Sequence, residues 1–271
     1  MSTSNPSVAL VTGASSGIGL ATAKALRDMG FRVFGTSRRV RSERSDGITM
    51  LASDVTDDDS VAKLVERVLA EAGRIDLLVN NAGRGLLGAA EETSTVQAQA
   101  LFDVNVFGVL RMTSAVLPAM RHQGKGRIVN VSSALGLIPA PYSALYASTK
   151  HAIEGYSESL DHELRTFGIR VVLVEPGYTR TAFEENLAKP DLLLDIYDSA
   201  RAGMNAIMRK AIESGDAPEV VARTIVKAAT TPAPKRRYAA GKMARQVSLL
   251  RRFVPESAFD KSLRKQSGLK V

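Results

Sequence analysis

The chain has 271 residues, of which 45% are hydrophobic and 24% are charged. This mixture is typical of a soluble globular protein and excludes disordered, collagen-like and coiled-coil chains. The chain has no cysteine, which excludes disulfides, thiolate metal sites and cysteine nucleophiles and fits a reducing compartment. Its histidines, His122, His151 and His162, show no metal-ligand spacing, so we expect no structural metal.

The start of the chain carries no export signal. Residues 1–7 are short, polar and uncharged, without the basic and apolar regions of a signal peptide. Apolar stretches such as 171–174 end well before the ~18 residues that a membrane span requires. We therefore expect a cytoplasmic protein without a transmembrane helix.

The positive charge is concentrated at one end. Residues 235–271 contain 11 lysines and arginines against 2 acidic residues, a net charge of +9, so the first 234 residues sum to −1. We interpret this basic C-terminal extension as a helix with an apolar face on the body and a basic face in solvent. Peripheral contact with a membrane surface and binding of an anionic substrate stay open as alternatives. Aromatic residues are too sparse for nucleic-acid binding.

Apolar periodicity predicts strands that alternate with helices. The predicted strands span residues 8–12, 31–36, 48–53, 75–80, 127–132 and 169–175. The predicted helices span residues 18–30, 57–72 with Thr56 as a cap, 94–122, 144–167 and 218–229. Strands that are continuous apolar runs are typical of a parallel sheet covered on both faces. We expect an α/β, doubly wound parallel sheet in a single domain over residues 1–271.

Past residue 176 the pattern loosens. Residues 181–216 carry helical pieces but no clear strand. Ligands of open α/β sheets bind beyond the carboxyl ends of the strands, so a segment that leaves the strand 169–175 is placed to cover a site. We expect residues 181–216 to form a substrate lid.

The turn after the first strand reads TGASSGIG over residues 12–19. Glycines let the backbone approach a pyrophosphate, and the unpaired N–H groups of the following helix receive its charge. A Walker A loop is excluded because no Lys-Ser/Thr pair follows, and the spacing G-x-G-x-x-G is also absent.

This turn, together with motifs further along the chain, resembles the short-chain dehydrogenase/reductase family. The turn has the family's TGxxxGxG form, residues 80–83 read NNAG, and Ser133, Tyr146 and Lys150 stand in the spacing of its Ser/Tyr/Lys set. The resemblance covers about residues 8–181 and implies a Rossmann-like, NAD(P)-binding domain. Residues 175–183 resemble the hydroxysteroid and retinol dehydrogenase branch, which implies a lipophilic substrate.

The resemblance implies a catalytic set of Asn105, Ser133, Tyr146 and Lys150. Tyr146 would be the general acid and base, Ser133 would polarise the carbonyl oxygen, and Asn105 would bind a water that connects Lys150 to solvent. Tyr146 and Lys150 are four residues apart, on one helix face. We expect the Lys150 ammonium, helped by the charge of an oxidised nicotinamide, to lower the pKa of Tyr146 from its usual value of ~10.

Two neighbours are rivals for these roles. Ser132 precedes Ser133, but the family interval of thirteen residues to Tyr146 selects Ser133. Tyr142 is excluded because the residue four positions later is Tyr146 and not a lysine.

The resemblance also implies a dinucleotide site in which Asp54 and Val55 contact the adenine. The expected cofactor-binding residues are Gly13, Ser15, Ser16, Gly17, Ile18, Gly19, Ser37, Arg38, Asp54, Val55, Asn81, Ala82, Gly83, Tyr146, Lys150, Pro176, Gly177, Thr179 and Thr181. No carboxylate stands at 37–39 for a ribose diol, whereas Arg38, aided by Ser37, suits a 2′-phosphate. We expect NADP(H), with NAD(H) possible because Ser15 and Ser16 stand where many NADP members carry a basic residue.

These observations predict an NADP(H)-preferring oxidoreductase that interconverts a secondary alcohol and a ketone, or an alcohol and an aldehyde, of a small lipophilic substrate. The resemblance also implies a homodimer or homotetramer. The alternative is a regulatory protein that senses NADP(H) without turnover. Such a protein would be expected to have lost Tyr146 or Lys150, and both are present.

Overall fold

Eight strands form one sheet in the computed structural model, which describes residues 6–40, 44–183 and 187–269. In chain order they are β1 (Val8–Val11), β2 (Arg32–Ser37), β3 (Arg44–Ser45), β4 (Ile48–Ala52), β5 (Leu77–Asn80), β6 (Gly126–Val131), β7 (Ile169–Pro176) and β8 (Arg237–Ala240). Their spatial order is β3-β4-β2-β1-β5-β6-β7-β8. Every pair is parallel except β3 with β4. The predicted doubly wound sheet is confirmed.

Helices connect the strands. They are α1 (Gly17–Asp28), α2 (Asp58–Ala72), α3 (Thr95–Phe102), α4 (Gly108–His122), α5 (Ala144–Leu164), α6 (Asp198–Glu213), α7 (Pro218–Thr230), α8 (Lys242–Phe253) and α9 (Glu256–Gln266). The long helix predicted over 94–122 is confirmed as a continuous helical stretch, but a π-helical segment, Asp103–Phe107, joins α3 to α4.

The core lies in two layers because successive side chains of a strand point to opposite faces of the sheet. Leu10 of β1 packs on one face with residues of α2, α4 and α5, such as Val68 and Met112. Val11, its neighbour, packs on the other face with residues of α1 and α7, such as Leu26 and Ile225. Both faces of the sheet are therefore covered by helices.

Several predicted boundaries were wrong. Asp57 rather than Thr56 caps α2, because its carboxylate accepts a hydrogen bond from the Ser60 N–H at 2.6 Å. The helix predicted to end at 167 ends at Leu164, before a short 3-10 turn. The strands β3 and β8 were not predicted, since each is too short to show a hydrophobic pattern. The basic extension therefore begins with a strand of the sheet, and α8 and α9 follow it. Residues 1–5, 184–186 and 270–271, parts of the predicted N-terminus, lid and extension, lie outside the described residues.

One stretch in the described part of the chain, Thr95–His122, is long and apolar enough to cross a membrane by length and composition. Its side chains Met112, Val116 and Met120 are buried against the sheet. Core helices of globular proteins pass the same test, so this stretch is explained by its packing.

Candidate active site

The carboxyl ends of the parallel strands meet at one edge of the sheet, where open α/β sheets bind ligands. The turns that follow β1, β2, β4, β5, β6 and β7 carry the predicted site residues at this edge. The parallel register therefore brings together segments that are far apart in the chain.

The glycine turn between β1 and α1 needs its glycines for physical reasons. Gly13 and Gly17 have φ angles of +65° and +53°, in the left-handed region that favours glycine. A Cβ on Gly19 would lie 2.2 Å from the carbonyl oxygen of Gly13. Ser16 precedes α1 and makes no side-chain capping bond, so the first N–H groups of the helix stay available for an anion.

The NNAG element after β5 is tied to this turn. The Thr12 hydroxyl accepts hydrogen bonds from the N–H groups of Asn81 and Ala82, both at 3.0 Å. The Asn81 side chain donates to the carbonyl oxygens of Thr12 and Gly13, at 2.9 and 3.2 Å. Asn81 therefore holds the glycine turn in shape.

Ser133, Tyr146 and Lys150 converge at the end of β6. The Ser133 hydroxyl lies near the Tyr146 phenol and lowers its pKa. The Lys150 ammonium donates to the carbonyl oxygen of Val131 at 3.0 Å, and its nitrogen lies 5.7 Å from the centroid of the Tyr146 ring. The structure brings these three side chains together.

The two neighbouring serines face different groups. Ser133 lies near the Tyr146 phenol, whereas the Ser132 hydroxyl is buried and faces the carboxylate of Glu154. A Cβ on Gly136 would lie 2.6 Å from that hydroxyl and 2.9 Å from Glu154 Oε1, so the absence of a side chain at Gly136 leaves them room. Ser132 therefore points toward Glu154 in the interior, and Ser133 points toward the Tyr146 phenol.

The electrostatics of the pair differ from the expectation. We expected Lys150 to lower the pKa of Tyr146; instead, burial raises the pKa of Tyr146 to about 12, and the Ser133 hydroxyl only partly opposes this. Burial also lowers the pKa of Lys150 to about 8, against the charge of Glu154, which raises it. Desolvation outweighs the pairing in the chain by itself, because both charged forms lose water.

Asn105 lies in the π-helical segment, and its side chain is buried. Its Nδ2 donates to the carbonyl oxygen of Arg84 at 2.8 Å and to the Thr149 hydroxyl at 3.1 Å, and its Oδ1 accepts from the Arg84 N–H at 2.8 Å. The side chain thus joins the loop after β5 to the helix α5. Its expected contact with a water stays a prediction.

The end of β2 lies beside the end of β4. Ser37 pairs with Ala52, and the exposed Arg38 follows it. The main cause that lowers the pKa of Asp54 is a hydrogen bond from the Thr56 N–H, and the charge of Arg38 lowers it further. Arg38 and Asp54 are therefore near enough to interact at the place expected for the adenosine end of a cofactor.

The described part of the segment 181–216, the predicted lid, lies against the site. The ring of Phe183 lies 6.0 Å from the ring of Tyr146, and two further contacts join the segment to the stretch after β5. Leu86 forms a β-bridge with Ala188, and the buried Glu92 forms a salt bridge with Arg201. At its start, a Cβ on Gly17 would lie 3.1 Å from Thr181 Cγ2. The segment thus reaches from the glycine turn to Tyr146.

An acidic cluster behind the lysine was not predicted. It consists of Glu154, Glu158 and Glu175, and Arg237 of β8 contacts all three, at 2.9, 3.0 and 3.4 Å. Glu154 and Glu175 are buried. Burial, then the charge of Glu154, raises the pKa of Glu175 to about 7.

One part of this cluster left a signal in the sequence. Glu154 follows Lys150 by four residues, a spacing that places both on one helix face. Arg237 gave no such signal in the sequence. Its strand β8 was not predicted, and its charge was counted with the other basic residues of the extension.

With the geometry established, comparison with known proteins identifies the family. The family model described as short chain dehydrogenase matches residues 7–191. The chain belongs to this family. The dehydrogenase is thus an oxidoreductase that acts on CH–OH groups.

Two named relatives and one solved structure are similar along most of the chain. A 3-ketodihydrosphingosine reductase of Bacteroides thetaiotaomicron is 45% identical over 181 residues, 67% of each chain. The rat estradiol 17-beta-dehydrogenase 1 is 37% identical over 85% of this chain and 72% of its own. A short-chain dehydrogenase from Streptomyces avermitilis is 35% identical, with a TM-score of 0.84 over 98% of this chain and 99% of its own.

Two further structures contain cofactors. A short chain dehydrogenase from Burkholderia cenocepacia in complex with NADP is 25% identical, with a TM-score of 0.76 over 96% of this chain and 98% of its own. A relative from Burkholderia phymatum in complex with NAD is 25% identical, with a TM-score of 0.79 over 95% of both chains. Together with the glycine turn, these neighbours support a nicotinamide dinucleotide as the cofactor of this dehydrogenase.

Proposed function

We propose that this dehydrogenase interconverts a secondary alcohol and a ketone, or an alcohol and an aldehyde, of a lipophilic substrate, with NADP(H) as the preferred cofactor and Tyr146 as general acid and base. The observation that carries the proposal is the convergence of Ser133, Tyr146 and Lys150 at the carboxyl edge of the sheet, beneath the ring of Phe183.

The chain's own residues fit a dinucleotide. The glycine turn, whose close approaches leave no room for side chains, would hold the pyrophosphate on the first turn of α1. When bound, the nicotinamide supplies or accepts the hydride. Arg38, aided by Ser37, would bind a 2′-phosphate, since a guanidinium matches phosphate oxygens. NAD(H) remains a second cofactor, because Ser15 and Ser16 add no positive charge.

The proton is handled by three side chains. The raised pKa of Tyr146, about 12, favours a protonated phenol at neutral pH, which suits a proton donor for carbonyl reduction. The Ser133 hydroxyl would donate to the same carbonyl oxygen as negative charge builds there, a contribution of about 2–4 kcal/mol. Lys150, as a cation, would stabilise the phenolate that remains on Tyr146.

The lid supports a lipophilic substrate. Phe183 and Leu187 pack together over Gly85, where a Cβ would meet both side chains within 2.8 Å. The two named relatives act, by their names, on a ketodihydrosphingosine and on estradiol. We infer that the substrate of this chain is a bulky or long-chain ketone that is similarly lipophilic.

Assembly and location are part of the same proposal. We expect a homodimer or homotetramer in the cytoplasm. Analytical ultracentrifugation of the purified chain measures the first, and a monomer at micromolar concentration would contradict it. Fractionation of the source cells measures the second.

The experiment that tests the catalytic function follows the absorbance of NADPH with a panel of hydrophobic ketones. The expected result is turnover that falls by about 10²–10⁴ in Tyr146→Phe. Tyr142→Phe is the matched control, since Tyr142 lies four residues earlier and its ring contacts Tyr197 of the lid. Turnover that survives in Tyr146→Phe would overturn the mechanism. Binding of NADPH without turnover on the whole panel would favour the alternative, a sensor of NADP(H).

A further inference from the structure

The helix α8 leaves an apolar strip in solvent. The side chains of Leu249, Leu250 and Phe253 are exposed by 60%, 49% and 72%. Leu249 and Phe253 are four residues apart and therefore neighbours on one side of the helix. Ala244, on the other side, is buried against the body. The helix thus packs on the body by Ala244 and presents Leu249, Leu250 and Phe253 outward, the reverse of a helix that only covers a core.

Basic residues surround the strip. At 3.6 residues per turn, Lys242, Arg245 and Arg252 lie within about 80° of the line between Leu249 and Phe253. All three are exposed, and α8 contains no acidic residue. The guanidinium of Arg252 lies 5.6 Å from the centroid of the Phe253 ring. Cations and large apolar side chains therefore share one face.

The charge extends beyond α8. The following helix, α9, has no buried residue, and its last turn carries Arg264 and Lys265. The net charge of +9 for residues 235–271, against −1 for the remainder, makes this end strongly attractive to a polyanionic surface.

The position of α8 links this face to the site. A Cβ on Gly177, in the loop after β7, would lie 3.1 Å from Met243 Cε near the start of α8. The same helix packs on the turn 134–136 that follows Ser133. At the far end of the extension, Gly268 lies against Ile207 of α6 in the lid. The extension therefore borders the covered end of the sheet.

The chemistry of the face selects its occupant. A second copy of this chain would bring the same charge of +9 against the face, which opposes its approach, whereas an anionic surface is attracted. A helix with leucine and phenylalanine beside lysine and arginine is typical of a helix that lies in the headgroup region of an anionic bilayer.

We propose that α8 docks this dehydrogenase on anionic membranes. Leu249 and Phe253 enter the boundary between headgroups and acyl chains, and Lys242, Arg245 and Arg252 bind the acidic headgroups. The docking itself does not depend on the proposed function. Its purpose does: it would bring the lid to a lipophilic substrate dissolved in the bilayer.

The test is sedimentation of the full chain with vesicles of phosphatidylcholine and phosphatidylserine, and with vesicles of phosphatidylcholine alone. We expect at least roughly tenfold tighter binding to the anionic vesicles. Two double variants, Leu249→Ser with Phe253→Ser and Arg245→Glu with Arg252→Glu, should each lose most of it. Val96→Ser with Lys63→Glu is the matched control, since both residues are exposed on other helices.

Each outcome decides the proposal. Equal binding to both kinds of vesicle, or binding unchanged by the α8 variants, would overturn it. A third result would also overturn it: the wild type does not bind vesicles, and it forms an oligomer that dissociates in the double variant Leu249→Ser with Phe253→Ser. The face would then join copies of this chain. Reduction of a water-soluble ketone without vesicles should be unaffected by the α8 changes. Vesicle binding without any ketone reduction would uphold the docking and reject the proposed function.

Discussion

The strand β8 and the helix α8 are neighbours in the chain and both are rich in arginine, but their arginines are in opposite environments. Arg237 of β8 is surrounded by the acidic cluster and is paired with all three of its carboxylates. Arg245 and Arg252 of α8 are exposed. The arginines carry the same charge in both places. Their roles differ because Arg237 is half-buried against buried carboxylates, whereas Arg245 and Arg252 are exposed.

The difference has an energetic meaning. Removal of one partner of a buried ion pair leaves an uncompensated charge and costs about 3–5 kcal/mol. Exposed charges contribute about 0–1 kcal/mol to stability, because water solvates them already. The arginines of α8 are therefore available to an external partner, whereas Arg237 pairs with the acidic cluster behind Lys150.

The largest expected effect is at the half-buried Arg237, whose partners Glu154 and Glu175 are buried. Arg237→Met should lower the free energy of unfolding by about 3–5 kcal/mol at pH 8, because Glu154 and Glu175 would be buried without a counter-charge. Arg252→Met, the exposed counterpart, should change it by less than about 0.5 kcal/mol. Urea unfolding of both variants measures this.

The same variant has a pH dependence of known sign. The pKa of Glu175 is raised by burial to about 7, well above its value in an unfolded chain. Arg237 lowers this pKa, so its removal should raise it further. The loss in Arg237→Met should therefore be largest at alkaline pH and shrink as the pH falls to about 7, below which Glu175 is protonated in both folded proteins. A loss that is as large at pH 5 as at pH 8 would show that Arg237 acts by packing and not by charge.

The acidic cluster should also influence catalysis through the lysine. Glu154→Gln removes the charge that raises the pKa of Lys150, so less of the ammonium would remain at pH 8 and kcat should fall about tenfold there. The loss should be smaller at pH 6.5, where Lys150 remains protonated, and KM for the cofactor should change little. Glu158→Gln is the control, because Glu158 also pairs with Arg237. Equal pH profiles of kcat for the two variants would show that Glu154 does not act through Lys150.

A smaller effect is expected at the far end of the site. Arg38→Ala should raise KM for NADPH about tenfold, the value of one charge-assisted hydrogen bond, and leave KM for NADH nearly unchanged. Arg39→Ala provides the neighbouring control, since Arg39 is equally exposed. Equal effects of Arg38→Ala on both cofactors would refute the phosphate contact.

The comparison also shows what a sequence can reveal. The glycine turn, Ser133, Tyr146 and Lys150 could be predicted, because each stands at a fixed spacing after an apolar run that becomes a strand. The strand β8 could not, because four residues that read RYAA in a basic stretch carry no periodic signal.

The remaining differences have similar causes. Glu175 looks like the polar end of a strand, and its partner Arg237 lies 62 residues away. The raised pKa of Tyr146 depends on burial by elements that only the fold brings together. Local spacing predicts which groups share a turn or a helix face, whereas burial and long-range ion pairs depend on the tertiary structure.

The most direct test of the account is the pH dependence of kcat for ketone reduction, measured for the wild type and for Tyr146→Phe. We predict a level rate through neutral pH and a fall above about pH 8, where Lys150 loses its proton while Tyr146 stays protonated. Tyr146→Phe should be slower by about 10²–10⁴ at every pH. A rate that keeps rising above pH 8, or a Tyr146→Phe variant that reduces the ketone as fast as the wild type, would contradict it.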